Sequence, residues 1–81
     1  MKVTVKFFAA PREALQRGEV QHELPADATV VELVRSLVQA YPVLEPYMCR
    51  AKVAVNQKYA AVETVLHDGD EVAFLPPVGG G

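Results

Sequence analysis

The sequence predicts an α+β domain, a mixed β-sheet with one main helix covering one face. Three observations predict it. Lys2 to Phe8 alternates polar and apolar residues as a half-buried strand does. Residues 30–41 divide at helical spacing into an apolar and a polar face. Glu71 to Leu75 alternates again, closing the globular part. With 81 residues there is room for one domain, and a hydrophobic share of 51% supplies one core.

In the first strand Val3, Val5 and Phe7 point one way and Lys2, Thr4 and Lys6 the other. Strict alternation puts Phe8 on the side of Lys6, so either the strand ends there or a large aromatic faces outward. Ala9 to Arg17 predicts one or two helical turns, because Pro11 suits a first turn, the residues after it are good helix formers and Gly18 can stop the helix. Glu19 to Leu24 reads as a second strand, with Val20, His22 and Leu24 on one face. Nothing in the sequence pairs with His22, which reads as a partly covered strand residue.

After the turn at Pro25–Ala28, Thr29 and Glu32 have the spacing of a capping box. Val30, Leu33, Val34, Leu37, Val38 and Tyr41 form the apolar face of the main helix, opposite Glu32, Arg35, Ser36 and Gln39, and Pro42 ends it. Residues 43–50 read as a connection. Lys52–Val55 is a short strand, Asn56–Lys58 a turn, and Tyr59 begins a brief return strand. His67–Asp70 is a further turn, signalled by Asp-Gly. The expected core joins Val3, Val5, Phe7, Leu33, Val34, Leu37, Val38, Val55, Val72 and Phe74. A single helix on one face of such a sheet is the β-grasp (ubiquitin-like) arrangement. It leaves the apolar residues of the other face to solvent or to a partner.

Charge and composition exclude several functions. The net charge of −2 gives no basic footprint for nucleic acid. No apolar run approaches the roughly 20 residues that span a bilayer. The alternating start is unlike a signal peptide, so the expected location is cytoplasmic. One cysteine, Cys49, and two histidines lack zinc-ligand spacing, no metal site is expected, and Cys49 reads as structural. No nucleophile–base pairing or phosphate-cradling loop is evident, and Glu63, Asp68, Asp70 and Glu71 read as solvated acids around a turn.

The unusual feature is the end. Residues 1–75 form the domain, and Pro76-Pro77-Val78-Gly79-Gly80-Gly81 forms an extended tail. Proline stiffens its exit, and the glycines strip its tip of side chains. At about 3.3–3.6 Å per residue the tail projects roughly 20 Å. Such an arm can thread a narrow channel and present its terminal carboxylate to another protein's active site. ATP can activate a carboxylate as an acyl adenylate, from which a sulfur or lysine nucleophile displaces AMP.

Ala54-Val55-Asn56-Gln57, the stretch from Asp68 through Leu75 into the tail, and Phe7-Phe8-Ala9-Ala10-Pro11-Arg12-Glu13 together resemble the small subunits of molybdopterin synthase, the MoaD family. The likeness covers essentially the whole chain and is least distinctive in its middle third. Gly79 departs from it, since the family commonly has a small polar residue there.

The resemblance implies a β-grasp sulfur carrier. Gly81 would be adenylated by a ubiquitin-activating-type (MoeB-like) enzyme that consumes ATP, then converted to a thiocarboxylate with sulfur from a donor protein. Gly79, Gly80 and Gly81 would thread into a MoaE-like large subunit, where sulfur passes to cyclic pyranopterin monophosphate. The large subunit would hold the catalytic pocket, the assembly would be a heterotetramer, and no cofactor would stay bound to this chain. The family's docking face corresponds to Phe8, Tyr59, Leu75, Pro76, Pro77 and Val78, with Arg12 at its rim. The alternatives are a sulfur carrier for thiamine or cysteine synthesis, a ubiquitin-related protein modifier, and a passive binding module.

Overall fold

The computed structural model describes residues 1–48 and 50–76. Five strands form one sheet in the order β2-β1-β5-β3-β4, where β1 is Lys2–Phe7, β2 Glu19–Glu23, β3 Lys52–Val55, β4 Lys58–Tyr59 and β5 Glu71–Leu75. The central pair β1 and β5 is parallel, with Val5 beside Val72 and Phe7 beside Phe74. The other neighbours are antiparallel, so the sheet is mixed as expected.

Alternation decides which side chains meet. Val3, Val5, Phe7, Val20, Val53, Val72 and Phe74 all turn to one face, under helix α2 (Val30–Ala40), and are buried. Leu33 and Leu37 come down from the helix fully buried. The rings of Phe7 and Phe74 stack with centroids 6.0 Å apart. Val34, Val38 and Val55 pack against this cluster but remain partly exposed, at its edge rather than its centre.

The capping box is present. Glu32 N–H donates to Thr29 Oγ1 at 3.4 Å, and Thr29 N–H donates to Glu32 Oε1 at 3.0 Å. The next free N–H groups of the helix start, those of Val30 and Val31, donate to the carbonyls of Thr64 and Val62. The irregular segment after β4 is thereby tied to the N-terminal end of the helix, and Leu66 is buried there.

Three local expectations change. The first helix, α1, runs Ala9–Leu15 and is ended by Gln16, whose φ of 61° and N–H bond to the Arg12 carbonyl form the cap, so Gly18 lies beyond it. The connection after Pro42 is helical, with a 3₁₀ turn at Pro42–Leu44 and a short helix α3 at Glu45–Met48. Its two prolines stand in first-turn positions, where they need no N–H partner, and it buries Leu44 and Met48. Lys58 belongs to β4, leaving a two-residue turn at Asn56–Gln57.

Candidate functional site

The sheet face opposite α2 is open. Along β1 it carries Lys2, Thr4 and Lys6, along β5 Glu71, Ala73 and Leu75, and along β3 Lys52 and Ala54. Phe8, the N-cap of α1, follows Lys6 onto this side and is 39% exposed. Tyr59 reaches it from the edge strand β4, opposite Ala54, and is 71% exposed. Of this face, Lys6, Phe8, Ala54, Tyr59, Glu71, Ala73 and Leu75, joined by Gln57, line a shallow hollow of about 410 Å³. Its floor is Ala54 and Ala73, small enough to leave room above the sheet. Its walls are Phe8, Tyr59 and Leu75, with Lys6 and Glu71 paired at 3.2 Å within it. Lys52 Nζ lies 5.9 Å from the Tyr59 ring centroid.

Leu75 also lines a second, mainly apolar hollow of about 250 Å³ on its other side. That hollow lies between the start of α1 (Ala9, Pro11), Tyr47 and Ala51, with Arg50 and Pro76 at its margin. Pro76 is exposed. The structure therefore brings Phe8, Tyr59 and Leu75 to one surface, with Pro76 next to Leu75 in the chain. Arg12 lies elsewhere, in a cleft with Glu13, Gln16, Arg17 and Gly18. A side chain at Gly18 would meet the Arg12 guanidinium, its Cβ 3.2 Å from Nε, so the glycine leaves room for the arginine. The tail residues Pro77, Val78, Gly79, Gly80 and Gly81, and Cys49, lie outside the described residues.

The acidic turn is more than a solvated cluster. Asp68 Oδ1 accepts from Lys2 N–H at 2.8 Å, and Asp70 Oδ2 accepts from His67 N–H at 2.8 Å. Asp70 Oδ1 accepts from Asn56 Nδ2 at 2.9 Å, while Glu71 pairs with Lys6. Sequence distance hid the bonds from Lys2 and Asn56, which lie 66 and 14 residues from their acceptors. His22, half-buried at the helix side of β2, meets Ser36 Oγ at 2.6 Å. Among the described residues no group of histidine and acidic side chains could hold a metal ion. The chemistry available on this face is recognition, an apolar patch around one ion pair beside the root of the tail.

A sequence profile described as the ThiS family matches residues 5–81. The molybdopterin synthase sulfur carrier subunit of Mycobacterium tuberculosis is 48% identical, and the match covers 100% of this chain and 99% of that protein. The crystal structure of SAMP1, a small archaeal modifier protein from Haloferax volcanii, superposes with a TM-score of 0.89 at 31% identity, covering 100% of both chains. A chain in the complex of subunits 1 and 2 of molybdopterin-converting factor from Helicobacter pylori superposes with a TM-score of 0.70 at 27% identity, also covering 100% of both.

Proposed function

This chain belongs to the ThiS family, and we propose that it is the sulfur-carrier subunit of a molybdopterin synthase. The observation that carries the reading is the full-length match, at 48% identity, to a relative bearing that name. The similar chain in the two-subunit complex supports a larger synthase subunit as partner.

In this account the Gly81 carboxylate attacks the α-phosphorus of ATP on an adenylating enzyme, releasing pyrophosphate and leaving an acyl adenylate. The terminal sulfur of a donor protein's persulfide attacks the acyl carbon and displaces AMP, giving an acyl disulfide. A thiolate then attacks the donor-side sulfur, forms a disulfide with it and releases the tail as a thiocarboxylate. The charged tail enters the large subunit, where its sulfur bonds to a carbon of cyclic pyranopterin monophosphate. Water then cleaves the acyl C–S bond, leaving sulfur on the pterin and returning the tail as the carboxylate. Catalytic side chains come from the large subunit, and ATP is consumed rather than held by this chain. Gly79 and Gly80 let the tail pass a narrow channel, while Phe8, Tyr59, Leu75 and the Pro76-Pro77-Val78 stem dock the domain at its mouth, and Arg12 stands apart in its own cleft. Two carriers served by a dimer of large subunits make a heterotetramer. Among the described residues no helix is long and apolar enough to cross a membrane, which fits a cytoplasmic assembly.

The likeness to SAMP1 favours a second reading, in which the same activated glycine is joined to lysines of other proteins. Intact-mass measurement after incubation with adenylating enzyme, ATP and sulfur donor separates the two. A carrier gains the difference between sulfur and oxygen, while a modifier appears in larger conjugates. An unchanged mass with a competent enzyme set would overturn both.

A further inference from the structure

The face that the proposed function uses depends on a residue that does not line it. Tyr59 stands on β4, a strand of two residues at the edge of the sheet, joined to β3 by the two-residue turn Asn56–Gln57. Both turn residues have positive φ, 50° and 70°, the pairing that matches the right-handed twist of a hairpin. A hairpin this short is marginal on its own. Here it is fastened from the side.

Asn56 N–H donates to the Glu71 carbonyl at 2.7 Å. Its side-chain Oδ1 accepts from Glu71 N–H at 3.0 Å, and its Nδ2 donates to Asp70 Oδ1 at 2.9 Å. Asp70 is held in turn by His67 N–H through its other oxygen. Gly69 N–H donates to the Lys2 carbonyl, and Thr4 N–H to that of Asp70, which anchors the turn on β1. One amide thus links the hairpin that bears Tyr59 to the start of the strand that ends in Leu75 and the tail.

We propose that Asn56 is a positioning residue for partner docking, its side chain locking the β3–β4 hairpin to the Asp70–Glu71 backbone so that Tyr59 is held in register with Phe8 and Leu75. The proposal rests on the sulfur-carrier reading for the partner's identity, but the lock itself does not. Asparagine suits the site twice over. It accepts a left-handed φ more readily than most residues, and it alone offers a donor to Asp70 and an acceptor to Glu71 at this reach.

The test compares Asn56→Gly, which keeps the turn geometry but removes the amide, with the unaltered chain, using the purified large synthase subunit as binding partner. Binding should weaken roughly five- to thirtyfold, the coupling expected between residues of one network, and by less than about twofold when Tyr59→Ala is already present. Exchange of the Ala60 amide, which donates to the Val53 carbonyl at 3.0 Å across the hairpin, should quicken about tenfold in the free chain. The single change Asn56→Asp sets two carboxylates together and should weaken binding. Combining it with Asp70→Asn exchanges donor and acceptor, keeps every hydrogen bond, and should restore binding. Equal weakening with or without Tyr59, unchanged Ala60 exchange, or failure of the exchanged pair to restore binding would each overturn the proposal. No binding even by the unaltered chain would overturn the proposed partner, and Ala60 exchange would then decide the lock by itself.

Discussion

Phe7 and Phe8 are neighbours in sequence, yet the sheet sends them to opposite fates, and truncating each should give opposite results. Phe7 is 1% exposed and stacks on Phe74, so Phe7→Ala removes a whole buried ring. Such changes cost about 3–5 kcal/mol. At roughly 0.05–0.15 kcal/mol per residue an 81-residue chain has about 4–12 kcal/mol in all, so this variant approaches or crosses the point of unfolding. Phe8 is 39% exposed on the open face, and its loss leaves no cavity in the core. Phe8→Ala should therefore cost less than about 1 kcal/mol of stability, as surface changes do. As an interface anchor it should weaken binding to the large subunit by about 1–3 kcal/mol, roughly five- to 150-fold. Urea unfolding followed by circular dichroism reads the first quantity and titration calorimetry the second. If Phe8→Ala unfolded as easily as Phe7→Ala while binding normally, the division of the sheet into a core face and a docking face would be refuted.

Leu37, fully buried at the centre of α2, should lose about 2–5 kcal/mol on Leu37→Ala, and a loss under about 0.5 kcal/mol in urea unfolding would show that the helix presents another face to the sheet. Thr29→Ala removes one half of the capping box and should lower stability by about 0.5–2 kcal/mol without altering partner affinity; an unchanged midpoint would mean that the loop carbonyls of Val62 and Thr64 already suffice to hold the helix start.

Much of the fold was legible because its main elements carry strong periodic signals. The alternation of Val3, Val5 and Phe7 and the capping box at Thr29 both follow from residues within one element, and both are present in the structure. The same parity argument set Phe8 beside Lys6 on the open face. Leu44, Met48 and Leu66 escaped because irregular or very short segments have no period to read, although each is buried. Val55 was expected in the core while Val53 is the more buried, since a four-residue strand shows its face but not how far the helix extends over it. At the candidate site the pattern is similar. The residues proposed for docking come from alternation and family likeness, whereas the partners of Asn56, Asp68 and Asp70 appear only once distant turns come together.

The central claim is that sulfur travels on Gly81, and following labelled sulfur tests it most directly. The chain would be charged by its adenylating enzyme and an isotopically labelled donor, freed of both, and mixed with the large subunit and cyclic pyranopterin monophosphate. The account predicts that label leaves the chain and appears in the pterin product, and that a variant lacking Gly81 folds normally but acquires none. Labelled product from that variant, or label that stays on the intact chain while product forms, would contradict it.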